Sequence, residues 1–97
     1  MTPVKRIECI IDAAHTPTLL EAVRRAGVPH YSLIREVQGD GDRGKRSGDE
    51  LTDIFRNCYI LIACPEAKVD AVTSAVRPLL KAYGGICLVS DALWLEH

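Results

Sequence analysis

Arg43, Lys45 and Arg46 stand among four glycines, Gly39, Gly41, Gly44 and Gly48, in a stretch from Gln38 to Glu50 (QGDGDRGKRSGDE) without one hydrophobic side chain. That set could grip an anion. Glycine lets backbone N–H groups approach a ligand closely, and a guanidinium clamps phosphate through two parallel hydrogen bonds. The stretch has no apolar area to set against the entropy of ordering, yet strand-like runs flank it, Tyr31–Val37 and Cys58–Ala63. A long insertion of this kind in a compact domain is functional or disordered. Two readings therefore stand: a loop that holds a phosphorylated ligand, or a solvated hairpin tip.

Other chemistries find less support. The carboxylates Asp40, Asp42, Asp49, Glu50 and Asp53 crowd the same stretch, where they are poorly preorganised for acid–base work. No Ser-His-Asp or Cys-His arrangement can be placed, so no catalytic residue is assigned and the chain is not expected to be an enzyme. The four cysteines, Cys9, Cys58, Cys64 and Cys87, are scattered singly with no C-x-x-C, and His15, His30 and His97 keep no metal-ligand spacing with them. They read as reduced thiols of a cytoplasmic protein, with no metal site. A formal net charge of −1 supplies no general drive toward nucleic acid or anionic lipid. Lys5, Arg6 and Glu8 interrupt the first apolar run, which excludes a signal peptide, and no uncharged run approaches the ~20 residues of a membrane span.

The elements that must position the loop follow from periodicity. Val4–Asp12 alternates as a strand, Ile7, Cys9 and Ile11 on one face and Glu8 and Ile10 on the other. Thr16 before Pro17 is an N-cap signature, Leu19, Leu20, Val23 and Ala26 repeat at helical spacing, and Gly27 supplies the stop. Tyr31–Val37 and Arg56–Cys64 are the next strands. Pro65 opens a second helix with Val69, Val72, Val76, Leu79, Leu80 and Tyr83 as its stripe, and Pro78 within it should kink or split it. Gly84-Gly85 ends that helix, and Ile86–Ser90 is the fourth strand.

The order β-α-β-β-α-β is the α+β, ferredoxin-like plan: a four-stranded antiparallel sheet with both helices on one face and a long loop between strands two and three. Residues 1–94 are read as one domain, 38–55 as that loop, and Leu95-Glu96-His97 as the start of an expression-tag scar. The plan leaves apolar residues on both faces of the last two strands: Tyr59, Leu61 and Ala63 oppose Cys58, Ile60 and Ile62. Soluble monomers avoid a contiguous apolar surface, so the uncovered face should pack on sister subunits. An RNA-binding version needs stacking aromatics, where strand three offers only Tyr59. A heavy-metal carrier needs a cysteine pair, and an acylphosphatase an arginine cradle, where this chain has Asp12-Ala13-Ala14-His15.

Glu36-Val37-Gln38-Gly39-Asp40-Gly41 resembles the E-V-x-G-x-G run that opens the T-loop of PII signalling proteins. The interior is more similar to short PII-like proteins associated with bicarbonate transport and carboxysomes, whose G-x-G-x-R-x-x-R-S pattern is met by Gly39, Gly41, Arg43, Arg46 and Ser47. Tyr83-Gly84-Gly85-Ile86 resembles their abbreviated B-loop. The resemblance implies a homotrimer with adenine nucleotide in the clefts between subunits. Gly39 and Gly41 would offer backbone to phosphate, Arg43 and Arg46 would neutralise it, Ser47 completes the motif, and Gly84 and Gly85 would cap the other side. The loop lacks the modifiable tyrosine of classical PII proteins and the chain lacks the longer, lysine-bearing B-loop, which favours ADP or AMP over a triphosphate. The same branch implies a role in inorganic-carbon regulation, with bicarbonate as a further ligand and a bicarbonate transporter or carboxysome-related protein as partner. Ordering the whole loop would cost on the order of 13–26 kcal/mol, against about 4–8 kcal/mol from a micromolar to millimolar ligand. Nucleotide is thus expected to fix Gly39–Arg46 and leave Ser47–Glu50 to a second ligand or partner. The alternative is a trimeric CutA-type ion-tolerance protein using His15, His30 or the loop carboxylates as metal ligands.

Overall fold

A computed structural model of the chain describes residues 1–38 and 56–97. Four strands, β1 (Thr2–Asp12), β2 (Ser32–Val37), β3 (Asn57–Cys64) and β4 (Ile86–Trp94), form one sheet in the order β2-β3-β1-β4, and every neighbouring pair is antiparallel. Two helices, α1 (Thr16–Arg25) and α2 (Val69–Tyr83), cover one face. This is the ferredoxin-like plan read from the order of elements.

The alternation in the sequence decides which face is covered. Ile7, Cys9 and Ile11 of β1 and Cys58, Ile60, Ile62 and Cys64 of β3 are buried beneath Leu19 and Val23 of α1 and Val72 and Val76 of α2. Removing such side chains from water is the main stabilising contribution, at about 1.5–3 kcal/mol for each fully buried aliphatic one.

Local chemistry sets the ends. The helical turn begins before the expected Thr16 cap, because a 3₁₀ turn over Ala13–His15 precedes α1. Asp12 caps that turn, its carboxylate accepting from the His15 N–H at 2.9 Å, while the Thr16 hydroxyl donates to the Asp12 carbonyl at 2.9 Å. Pro65 likewise precedes a 3₁₀ turn, Glu66–Lys68, that leads into α2. Pro78 does not split α2, which runs unbroken from Val69 to Tyr83. Pro78 and Ser74 lie on the exposed side, so the Ser74 carbonyl that loses its intrahelical donor is open to water. β4 continues four residues beyond Ser90, to Trp94, since β1 begins at Thr2 and pairs with it throughout.

Among the described residues no helix covers the opposite face. Across all four strands Ile34, Tyr59, Ile10 and Ile86 stand in one cross-strand row, and Ser32, Leu61, Glu8 and Leu88 in the next. Ile34, Ile86, Leu88 and Trp94 are each about half exposed or more. The Tyr59 hydroxyl donates to Glu8 at 2.6 Å, which raises its pKa, and Glu8 also pairs with Arg6 at 3.3 Å. No described helix is long and apolar enough to cross a membrane.

Candidate functional site

Both ends of the segment 39–55 and the glycine turn after α2 meet one end of the sheet. β2 runs out at Val37, which stands opposite Asn57 of β3, and Asn57 stands opposite Asp12 of β1. The Ala13 N–H donates to the Arg56 carbonyl at 2.6 Å, tying the returning chain to the turn after β1. At the departing side the β2–β3 register shifts between Arg35 and Val37, and Glu36 in the bulge takes a left-handed conformation with φ 61°. A non-glycine residue there is uncommon and is a feature of bulges and binding loops. Its carboxylate reaches Arg56 Nη1 at 3.0 Å, so side chains from both ends of the segment meet at its base. Beside them a groove of about 540 Å³ opens between α1 and β2, lined by Thr16, Leu20, Tyr31, Arg35, Glu36 and Arg56.

The second wall comes from α2. Gly84 closes the helix, its N–H donating to Leu80 at 2.8 Å, with φ 82°, and Gly85 follows with φ 108°. A Cβ at Gly85 would lie 2.3 Å from the Ile10 carbonyl oxygen, so the turn packs directly on the backbone of β1. The preceding Tyr83 ring stacks on His15, centroids 3.5 Å apart and planes 12° off parallel. His15 Nδ1 lies 2.6 Å from Asp12 Oδ1. Asp12, His15 and Tyr83 thus join the end of α2 to the turn after β1, and hold the glycine turn at the same end of the sheet as Arg56.

Of the residues assigned from sequence, Gly84 and Gly85 lie at this end, as two consecutive residues with positive φ and no side chain. Gly39, Gly41, Arg43, Arg46 and Ser47, with the expected partial ordering of the loop, lie outside the described residues. Sequence reasoning missed three contributors: Glu36, whose only signal was its place at the head of the E-V-x-G-x-G run, and the Asp12–His15–Tyr83 contact and the Glu36–Arg56 pair, which had none. The metal reading proposed His15, His30 or the loop carboxylates, of which Asp40, Asp42, Asp49, Glu50 and Asp53 lie outside the described residues. His15 is engaged by Asp12 and Tyr83, and among the described residues no group of three or more His, Cys, Asp or Glu side chains could hold a metal ion.

The sequence profile of the family described as nitrogen regulatory protein P-II matches residues 4–96. The chain belongs to the P-II family. P-II proteins are regulators, not enzymes, and family membership favours the regulatory reading over the metal one. No curated protein matches the chain. Among solved structures it is similar to CPII, a nitrogen regulatory PII-like protein from Thiomonas intermedia K12 bound to ADP, AMP and bicarbonate. The identity is 27%, the alignment covers 93% of this chain and 86% of that one, and the TM-score is 0.82. A second CPII structure, bound to ADP and bicarbonate, aligns at 29% identity over 93% and 86% of the two chains with a TM-score of 0.79. The B. subtilis GlnK–ATP complex shares the fold at 20% identity, 95% and 84% coverage and a TM-score of 0.68.

Proposed function

We propose that this P-II protein binds ADP or AMP at the clefts between subunits of a homotrimer and signals through the T-loop, residues 38–55, in inorganic-carbon regulation. The observation that carries the reading is the convergence of the glycine turn, Gly84-Gly85, with both ends of the T-loop at one end of the sheet. A nucleotide held there touches two separate chain segments at once, so occupancy is felt directly at the root of the loop. Gly39 and Gly41 offer backbone N–H groups to the phosphates, Arg43 and Arg46 neutralise them beside Ser47, and Gly84 and Gly85 close the opposite side. The uncovered row Ile34, Tyr59, Ile10 and Ile86 supports the trimer, as an apolar surface that sister subunits would bury.

The ADP, AMP and bicarbonate in the CPII structures support the choice of ligands and the carbon role. On this reading the T-loop engages a bicarbonate transporter or a carboxysome-related protein, in the cytoplasm. Thermal melting with ADP, AMP, ATP and bicarbonate tests the ligand assignment. A ligand at 100 times its Kd stabilises by about 2.7 kcal/mol, a readily visible rise in Tm for a domain of this size. The expected order is ADP or AMP above ATP, and an unchanged Tm with every adenine nucleotide would remove nucleotide binding.

A further inference from the structure

Cys9 and Cys87 stand directly opposite each other on β1 and β4, on the face that the helices cover. Residues so placed in an antiparallel pair have Cα atoms about 4.5–5.5 Å apart, within the roughly 4.4–6.8 Å that a disulfide spans. Both thiols are free. No other cysteine is so placed. Cys58, opposite Ile11, is only a diagonal neighbour of Cys9, at roughly 7–8 Å, and Cys64 sits opposite Lys5, about 13 Å along the strand.

The two differ in access. Cys9 is fully buried and Cys87 only partly, so reagents from solvent meet Cys87 first. The neighbouring Cys9 thiol lowers the Cys87 pKa, while the same interaction with burial raises that of Cys9, so Cys87 is the thiol of the pair that ionises first. Cys87 also lies two residues after Gly85, whose contact with Ile10 seats the glycine turn on β1 beside Cys9.

We propose that Cys9 and Cys87 are a thiol–disulfide site, oxidised by a hydroperoxide to a reversible cross-strand disulfide that ties β4 to β1 beside the glycine turn. The Cys87 thiolate attacks the O–O bond, which breaks. With one proton taken up, this leaves an alcohol and a Cys87 sulfenic acid. Cys9 Sγ then attacks Cys87 Sγ, the S–S bond forms, the S–O bond breaks, and the hydroxide leaves as water with the Cys9 proton. The two thiols lose two electrons, and the peroxide bond gains them. A dithiol reductant reverses the step by exchange. This pairing does not depend on what the glycine turn binds.

The test treats the intact protein with tert-butyl hydroperoxide at neutral pH, then alkylates under denaturing conditions and maps the peptides. A Cys9–Cys87 cross-linked peptide is expected, with Cys58 and Cys64 alkylated and all four thiols recovered after dithiothreitol. Alkylation of both Cys9 and Cys87, a cross-link between chains, or Cys87 oxidised to sulfinic acid beside a free Cys9 would overturn the proposal. Cys87→Ala removes the less buried partner and leaves the core residue in place. In that variant Cys9 should stay reduced under the same treatment, and a disulfide from Cys9 to Cys58 or Cys64 would show that geometry does not select the pair.

Discussion

Gly85 rests on the backbone of Ile10, so closely that a Cβ there would stand 2.3 Å from the Ile10 carbonyl oxygen. Neither partner can yield cheaply, since the obstruction is the main chain of β1 at Ile10, which is paired with Tyr59 of β3 and Ile86 of β4, and φ at Gly85 is 108°. Gly85→Ala should therefore destabilise by about 2 kcal/mol or more, lowering Tm by roughly 8–16 °C. Gly27 also has a positive φ, but its Cβ would meet the flexible end of Lys68. Gly27→Ala should cost less, and calorimetric melting of both variants measures the difference.

Leu88 stands opposite Glu8 on the uncovered sheet face and is 55% exposed in the single chain. On a solvated surface Leu88→Asp would change stability within about 0.5 kcal/mol. In a trimer core it would bury an unpaired charge beside Glu8 and cost several kcal/mol. The expected result is loss of the trimer, read by sedimentation velocity. A wild-type chain that sediments as a monomer would sink the subunit arrangement.

Arg46→Ala tests the phosphate contact. A hydrogen bond to a charged group contributes about 1.5–3 kcal/mol, so ADP affinity should fall roughly tenfold or more while Tm without ligand stays unchanged. Arg43→Ala should shift affinity in the same direction and by less. Titration calorimetry reads both.

Glu21 is held at a pKa of about 2 by its hydrogen bond to Arg24, with further attraction from Arg25. A depressed carboxylate pKa contributes stability above its unfolded value, and the contribution disappears as pH falls through the folded value. Glu21→Gln should thus melt below the wild type near neutral pH, with the gap closing between about pH 4.5 and pH 2. Because the cluster is exposed, molar salt should narrow the gap as well. Melting curves across that pH range check the sign.

Much of this protein was legible in one dimension because its information is local. The period-two alternation of Ile7, Cys9 and Ile11 and of Cys58, Ile60 and Ile62 set which face lies under the helices, and the stripe from Val69 to Tyr83 set the covering face of α2. Apolar residues left over on β3 and β4 already implied an uncovered surface. The glycine pair at 84 and 85 marked a helix end, but local pattern said nothing of the Ile10 carbonyl beneath it. Tertiary pairing decided the rest. β4 runs on to Trp94 past Ser90 and Asp91 because β1 supplies hydrogen bonds there, a long-range fact that hydropathy does not carry. Glu36 is left-handed because the β2–β3 register shifts at that point. The His15–Tyr83 stack and the facing of Cys9 and Cys87 depend on where β1 ends and how it pairs with β4, and register is a property of two strands together.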